Sequence, residues 1–284
     1  MISVLILTKN EELNIRECIQ SVSWSDDVWV FDSISTDSTC QIASELCANV
    51  RQRVFDNYGA QREAARYLPY KYPWVLAIDA DERPDRELVS ELLSIANNAD
   101  DKNVAYRVRR KDYFMGRWIK YSSLYPSWFI RFYRPNKIHY EPRAVHEYAE
   151  IDGPLGQLSH HLLHHSFSKG IEEWFAKHVR YAALEAAENA KVLEKADKRH
   201  GLTRVLSTDP VARRRALKQL STRLPFRATL RFLYSYIMRR GFLDGVAGYR
   251  YAKMLAIYEQ MIVLNLCEQT AKQSNNQGQK IPVR

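Results

Sequence analysis

The amino-acid sequence predicts an α/β fold, in which a mostly parallel sheet is covered by helices on both faces. Short apolar runs alternate with helical patterns through residues 1–100, which is typical of a parallel sheet built from strand–helix units. The first run, Ile2 to Thr8, is apolar almost throughout, as expected of a strand buried on both faces. From Ile171 onward apolar residues recur at helical spacing, so a C-terminal helical region should follow the sheet.

Each element of the N-terminal part has its own signal. Apolar runs predict strands at residues 2–8, 28–31 and 74–78, and residues 51–54 are expected to form a further strand between the last two; helices are expected between the strands and after the last. Asn10 belongs to a residue type that caps helices well, and the helix after it carries an apolar stripe that starts at Ile15. Pro84 suits the first turn of the fourth helix, where a missing N–H has no intrahelical partner to lose.

The composition divides the chain further. Residues 101–167 are rich in aromatic side chains and contain two strand-like runs, near 104–108 and 128–134. The polar C-terminus is expected to be a flexible tail. The predicted organisation is an α/β domain at 1–167 with halves 1–100 and 101–167, a basic helical region at 168–268 and a tail at 269–284.

Positive charge is concentrated in one segment. Between Lys191 and Arg240 there are 14 Lys/Arg and 3 Asp/Glu, a local net charge of +11, whereas the whole chain carries +9 and the remainder therefore −2. Such a run is often a plain solvated face, but it also predicts a polyanionic partner. Apolar and aromatic residues alternate with the arginines, which favours an anionic membrane surface. No groove-reading or base-stacking motif accompanies the charge, so no nucleic-acid partner is expected.

Several classes of protein are excluded. No run of about 18 apolar residues occurs, so a membrane-spanning helix is not expected. The N-terminus lacks the features of a signal peptide and the four cysteines lack paired or metal-type spacing, which predicts a cytoplasmic protein with reduced thiols. Neither a Walker-type loop nor GxGxxG occurs, which argues against ATP-hydrolysing and nicotinamide-dependent enzymes.

Acidic residues follow the predicted strands at the edge where ligands of such sheets bind. Asp79 and Asp81 come directly after the apolar run 74–78, and side chains two apart can point to the same side. Carboxylate oxygens are the ligands that Mg²⁺ and Mn²⁺ prefer, and such sites leave positions open for phosphate oxygens. We therefore predict a divalent cation here, with a plain acidic turn as the alternative.

Two further positions suggest a nucleotide. Asp32, at the end of the second strand, can accept the N–H of a uracil ring, although it can also simply cap the Ser33–Thr36 turn. Gln61 and Arg62 begin a helix after Gly59, a place suited to a diphosphate, although Arg62 can equally be a surface residue.

These residues occur in motifs that resemble glycosyltransferase family 2, the inverting enzymes that use nucleotide sugars. The N-terminal motifs are residues 8–12 (TKNEE), 31–39 (FDSISTDST), 61–62 (QR) and 74–82 (WVLAIDADE). Residues 144–147 (AVHE), 163–167 (LHHSF) and 241–245 (GFLDG) look like the branch that builds lipopolysaccharide core. Two departures are Ile34, where the family turn usually has Gly, and the His165–Phe167 stretch, where the family usually has Tyr-Ser-Tyr.

The resemblance implies a GT-A fold and a metal-assisted, inverting transfer of a hexose, with glucose as the first expectation. The donor would be a UDP-sugar and the acceptor a lipopolysaccharide inner-core heptose, at the inner face of the inner membrane. It implies Glu147 as the catalytic base, Asp81 and His164 as ligands of Mg²⁺ or Mn²⁺, and donor contacts by Thr8, Asn10, Glu11, Asp32, Gln61, Arg62 and Asp79.

Two other functions compete with this interpretation. A nucleotidyltransferase would share the sheet and the carboxylates but release pyrophosphate. A basic protein that binds nucleic acid or lipid would use the positive segment and leave the acidic edge inert.

Overall fold

A computed structural model describes residues 1–141, 149–195 and 226–276 of the chain. The described residues divide into two compact units. Unit 1 is formed by residues 1–118 and 124–168, and unit 2 by residues 119–123 together with the chain from Lys169. No helix among the described residues is both long enough and apolar enough to cross a bilayer.

Unit 1 is built from alternating strands and helices followed by a set of strands that pair mostly in antiparallel fashion. Its helices are α1 (Ile15–Ser21), α2 (Thr39–Glu45), α3 (Tyr58–Ala65) and α4 (Arg86–Asn97). Its strands are β1 (Ser3–Thr8), β2 (Val28–Asp32), β3 (Asn49–Gln52), β4 (Val75–Asp79), β5 (Glu82–Pro84), β6 (Ala105–Phe114), β7 (Arg117–Trp118), β8 (Trp128–Tyr133), β9 (Ile138–Tyr140), β10 (Ala149–Ile151) and β11 (Leu155–His164).

The main sheet confirms the predicted fold class. Among the described residues its strands run in the order β3-β2-β1-β4-β8-β6-β11-β5, with β7 paired to β6. The first four strands are parallel, β8 is antiparallel to both β4 and β6, and β6 is parallel to β11. Buried side chains line both faces of the sheet, including Val4, Ile6, Leu76 and Ile78 on one and Leu5, Val75 and Ala77 on the other.

The connection between β4 and β5 is unusually short for two strands that are not neighbours in the sheet. Only Ala80 and Asp81 separate β4 from β5, although three strands lie between them in the strand order. From Asp79 to Glu82 the chain can span at most about 11 Å, whereas four strand spacings in a flat sheet amount to about 19 Å. The ends of β4 and β11 must therefore curl toward each other.

Some predicted elements were wrong in detail. Asn10 does not cap α1, which is preceded by Asn14; instead its backbone is left-handed and its side chain accepts a hydrogen bond from Thr36 N. Pro84 lies in the edge strand β5, and Asp85 caps α4 by accepting from Leu88 N. A proline without an N–H is as acceptable on an edge strand as in a first helical turn, so the residue type alone does not distinguish the two. The third strand is Asn49–Gln52 rather than 51–54.

Unit 2 is helical. Its helices are α5 (Gly170–Lys195), α6 (Arg227–Leu233) and α7 (Gly245–Asn276), with a π-helical turn at Tyr234–Met238 and a 3₁₀ turn at Gly241–Asp244. Helix α7 continues beyond Gln269, where the sequence predicted a polar tail, and residues 277–284 lie outside the described residues. Most of the basic segment, residues 196–225, is also outside them.

The 241–245 motif has a structural role in unit 2. Asp244 is buried, and its carboxylate accepts hydrogen bonds from the backbone N–H groups of Lys120, Tyr121 and Ser122. A Cβ on Gly241 would lie 2.5 Å from Ser122 Oγ, so only glycine fits against the 119–123 segment. The motif therefore fixes this segment in place.

Candidate active site

The carboxyl ends of three parallel strands bring the first candidate residues to one edge of the sheet. Thr8 on β1 is paired in register with Asp32 on β2, and Leu7 is paired with Asp79 on β4. The predicted acidic groups therefore share an edge, as expected when strands run parallel. This is the edge at which open α/β sheets bind ligands.

Asp32 is fully buried and saturated with hydrogen bonds. Its carboxylate accepts from Thr8 Oγ1 at 2.8 Å, from Ser35 N at 2.7 Å, from Ser35 Oγ and from Gln52 Nε2 at 3.1 Å. Burial alone would raise the pKa of Asp32, but these donors hold it below its ordinary value. Four donors match the lone-pair sites of a carboxylate, so binding a base would require one of them to rotate away. The structure thus shows the turn-capping role, and base recognition stays a prediction.

The loops after β1 and β2 hold each other through side chains. Asn10 Oδ1 accepts from Thr36 N at 2.9 Å, and the Glu11 N–H donates to Thr39 Oγ1 at 2.7 Å. Gln61 on α3 is buried and its Nε2 donates to Ser33 Oγ at 3.1 Å. The predicted donor contacts Asn10, Glu11 and Gln61 are thus placed beside the Asp32 turn.

Asp79 is held by two arginines rather than standing free. Its Oδ1 pairs with Arg62 Nη2 at 2.9 Å and its Oδ2 with Arg131 Nη2 at 2.5 Å. Burial would raise the pKa of Asp79, yet Arg131 and Arg62 hold it below its ordinary value. Arg62 is only 3% exposed, so the alternative that it is a surface residue is wrong. Its contact with a diphosphate stays a prediction.

Arg131 is a residue that the sequence analysis missed. It also pairs with Oε1 of Glu82 at 3.1 Å, and Glu82, which is fully buried, accepts a hydrogen bond from Asp79 N. The available signal was a single cation inside the aromatic strand 128–133. A charge in such a run is costly to bury unless it is paired, and so it indicates a buried partner.

The second half of unit 1 contributes His164 to the same corner. His164 Nε2 lies 3.2 Å from Asp81 Oδ2, and His164 Nδ1 lies 2.6 Å from Asp112 Oδ1. The backbone reinforces the approach, because His165 N donates to the carbonyl of Asp81 at 2.8 Å. Burial would lower the pKa of His164, but the carboxylates of Asp81 and Asp112 outweigh it and raise the pKa to about 9.

The Asp81–His164 pair fits a divalent cation of the predicted kind. Adjacent ligands of an octahedral ion with bonds of about 2.1 Å lie about 3.0 Å apart, close to the separation of these two atoms. Among the described residues no cluster of three or more His, Cys, Asp or Glu side chains forms a metal site. Two protein ligands leave positions for water and phosphate oxygens, which is how Mg²⁺ is usually bound.

Glu147, the predicted catalytic base, lies outside the described residues, as do the other residues of the 142–148 segment.

Comparison with known proteins identifies the family. The sequence model described as glycosyl transferase family 2 matches residues 3–150, slightly more than half of the chain. The chain belongs to this family. The match includes the strand ends at Thr8, Asp32 and Asp79, and together with the sheet it confirms the GT-A fold. This family-2 chain is therefore a glycosyltransferase.

Two curated relatives are similar over most of its length. An uncharacterized glycosyltransferase of Rickettsia conorii is 28% identical over 285 residues, covering 96% of this chain and 92% of the relative. The lipopolysaccharide core biosynthesis glycosyltransferase LpsC of Rhizobium meliloti is 27% identical over 219 residues, covering 74% of this chain and 78% of LpsC.

Solved structures show weaker likeness. The mannosyltransferase PcManGT of Pyrobaculum calidifontis, in complex with GDP-Man and Mn²⁺, gives a TM-score of 0.48 at 14% identity, covering 94% of this chain and 87% of that chain. Glucosyl-3-phosphoglycerate synthase of Mycobacterium tuberculosis, in complex with Mn²⁺, UDP and glucosyl-3-phosphoglycerate, gives a TM-score of 0.33 at 24% identity. The match covers 40% of this chain and 44% of that chain.

Ile34 provides a test of the turn that carries Asp32. Its φ of 57° is in the left-handed region, which costs an L-residue about 1–2 kcal/mol, and its side chain is 42% exposed. Ile34→Gly should therefore raise the free energy of unfolding by about 0.5–1 kcal/mol, since the greater freedom of glycine in the unfolded chain offsets part of the relief. Urea unfolding measures this. Ile34→Val, which stays β-branched, should give no gain, and a glycine variant no more stable than wild type would contradict the strain.

Proposed function

We propose that this family-2 enzyme transfers glucose from UDP-glucose to a heptose of lipopolysaccharide inner core, with inversion and with help from a divalent cation. The observation that carries the proposal is the Asp81–His164 pair at 3.2 Å, placed at the edge of the sheet where β1, β2 and β4 end. In this proposal the donor binds at the ends of the parallel strands and the acceptor on the side of β6 and β11.

The donor side of the proposal rests on charge. A divalent cation between Asp81 and His164 would stabilise the negative charge of the departing UDP, a Lewis-acid effect that contributes several kcal/mol. The nitrogen ligand favours Mn²⁺ over Mg²⁺, since Mg²⁺ prefers oxygen ligands. Arg62 and Arg131 neutralise Asp79 and so keep a second carboxylate from repelling the diphosphate.

The proposed catalytic base rests on the family motif and on the need of an inverting transfer for a proton acceptor. An inverting transfer needs a group opposite the leaving diphosphate to take the proton of the acceptor hydroxyl. Glu147 matches the family position at which a carboxylate base is expected, within the 144–147 motif. We assign this role to it.

The acceptor side is supported by one face of β6. Arg107, Arg109 and Lys111 alternate along the strand and therefore share a face. The guanidinium groups of Arg107 and Arg109 lie 5.3 Å from the ring of Trp128, and Lys111 Nζ lies 5.2 Å from that of Trp118. Aromatic rings beside cations suit a sugar that carries anionic groups, and the relative LpsC is named for lipopolysaccharide core biosynthesis. Arg110 points to the other face, where it pairs with Asp112 and Glu82.

The competing functions lose support. Membership in a glycosyltransferase family favours release of UDP over release of pyrophosphate, and the cation-compatible pair makes an inert acidic edge a poor description.

The first prediction concerns the donor. Asp81→Asn should weaken the Mn²⁺-dependent binding of UDP-glucose by more than about 100-fold, since loss of a ligand exceeds the 10–100-fold effect of losing a group that only supports a ligand. Isothermal titration measures it, with Asp152→Asn, an exposed carboxylate paired with Lys137, as the matched control. Equal affinity in wild type and Asp81→Asn would remove the cation from the proposal.

The second prediction concerns the base. Glu147→Gln should bind UDP-glucose and Mn²⁺ as wild type does, yet transfer should fall by about 10²–10⁴-fold because the amide cannot take a proton. Release of UDP in the presence of core acceptor measures turnover. The exposed Glu150→Gln serves as the control. Retained turnover in the Glu147 variant would assign the base elsewhere, and release of pyrophosphate from a nucleoside triphosphate would favour a nucleotidyltransferase.

A further inference from the structure

Asp112 lies directly behind the proposed metal ligand His164. The two residues face each other in register in the parallel pair β6–β11. Their side chains are 15% and 12% exposed, and Asp112 Oδ1 lies 2.6 Å from His164 Nδ1. The opposite ring nitrogen, Nε2, is the atom that faces Asp81.

Asp112 is itself fixed. Arg110 Nε lies 3.0 Å from Asp112 Oδ1, and the same guanidinium approaches the buried carboxylate of Glu82 at 3.5 Å. A carboxylate held in this way accepts a hydrogen bond from Nδ1–H in one ring orientation only. Once Nε2 carries no proton, its lone pair is directed at the space beside Asp81.

We propose that Asp112 is a positioning residue that sets the tautomer and ring orientation of His164 for a divalent cation. This inference rests on the proposed function, because that function supplies the cation between His164 and Asp81. A carboxylate behind a metal-binding histidine also makes the imidazole a better ligand, and its loss typically lowers metal affinity 10–100-fold.

The test is a titration of the full chain with Mn²⁺ alone, in which electron paramagnetic resonance measures free Mn²⁺. Asp112→Ala should weaken binding 10–100-fold. Asp112→Asn should weaken it less, because the amide oxygen still accepts from Nδ1. Glu91→Gln is the matched control, since Glu91 Oε2 contacts His160 Nδ1 at 2.9 Å on the same strand β11. This control should bind Mn²⁺ as wild type does.

The outcomes separate the two proposals. In a His164→Ala background, Asp112→Ala should change nothing further, and an additional loss there would overturn the positioning role. If Asp81→Asn and His164→Ala weaken Mn²⁺ binding while both Asp112 variants match wild type, the role of Asp112 is overturned and the cation site stands. If Asp81→Asn and His164→Ala also match wild type, both proposals fail.

A second, independent observation comes from α6 in unit 2. Five large side chains of α6 and of the following turn are spaced i, i+3, i+4, i+7 and i+8, so they form one stripe. The stripe consists of Leu230 (43% exposed), Leu233 (40%), Tyr234 (40%), Ile237 (55%) and Met238 (75%).

The opposite face of this helix is occupied by packing within unit 2. Phe232 and Tyr236 stack on each other and both meet Tyr249 edge-on, while Ser235 is buried. At the start of the helix, Arg227 pairs with Glu259 of α7. A helix that is apolar on both faces is expected to bury the second face as well, against another molecule or a lipid surface.

Charge indicates what covers the stripe. Arg231 lies on the same helix, Arg239 and Arg240 follow the stripe, and the 191–240 segment that contains it carries a net charge of +11. A second copy of the chain would bring the same positive charge against it. Aliphatic side chains such as Leu230 and Ile237 neither pair with phosphate nor stack on bases, which disfavours nucleic acid.

We infer that the stripe inserts into the surface of an anionic bilayer while the flanking arginines bind lipid phosphates. Helices that lie in the membrane interface combine these two features. This placement would bring the enzyme to a lipid-anchored acceptor, but it does not depend on which sugar is transferred.

Flotation with vesicles of phosphatidylglycerol and phosphatidylcholine tests the surface. Leu230→Ser/Ile237→Ser should lower the partition coefficient at least about tenfold, because two inserted apolar side chains are lost. The control Ile257→Ser/Leu264→Ser changes two exposed apolar residues of α7, 45% and 59% exposed, and should bind as wild type does. Vesicles of phosphatidylcholine alone should bind less.

Three results would overturn this inference. One is equal flotation of the stripe variant and wild type. Another is equal binding to neutral and anionic vesicles. The third is a dimer of the wild-type chain, seen by light scattering, that the stripe variant abolishes, since the stripe would then be an interface between copies.

Discussion

The guanidinium of Arg131 lies between two carboxylates of the chain that follows β4, and the site depends on that position. It pairs with Asp79 at 2.5 Å and with the fully buried Glu82 at 3.1 Å, while Arg62 holds the other oxygen of Asp79. Removing one partner of a buried ion pair typically costs about 3–5 kcal/mol, a large share of the roughly 5–15 kcal/mol that stabilise a folded protein. The ion pairs therefore fix the path of the short 79–82 segment, and with it the direction in which Asp81 leaves the sheet.

Charges of both signs are ordered around this segment. Arg62 and Arg131 neutralise the half-buried carboxylate of Asp79, and Arg131 and Arg110 neutralise the buried carboxylate of Glu82. Asp81 and His164 lie beside these ion pairs, and their facing atoms are 3.2 Å apart, a separation that a single cation can bridge. An uncompensated row of carboxylates would repel a diphosphate, whereas here Asp79 and Glu82 are paired with arginines and Asp81 lies against His164.

The sequence was informative where chemistry follows from local pattern. Apolar runs ended at Thr8, Asp32 and Asp79, and parallel pairing then brought those ends to one edge. The sequence was uninformative where the decisive contact joins residues that are far apart along the chain. Asp112 and His164 are 52 residues apart in the chain, and nothing in the run of basic residues before Asp112 distinguishes it from a solvated charge. Arg131 was missed for the same reason, and Pro84 was misplaced because helix starts and edge strands tolerate proline equally.

The two-residue connection between β4 and β5 limits how the parts of the sheet can move relative to each other. Because two residues connect strands that are far apart in the sheet order, the two halves of the sheet, β3 to β4 and β8 to β5, are joined by this short connection as well as by the β4–β8 ladder. Halves linked in this way cannot swing apart like the lobes of a hinged enzyme. A deletion or insertion between Asp79 and Glu82 would therefore disturb the pairing of β5 with β11 as well as the turn itself.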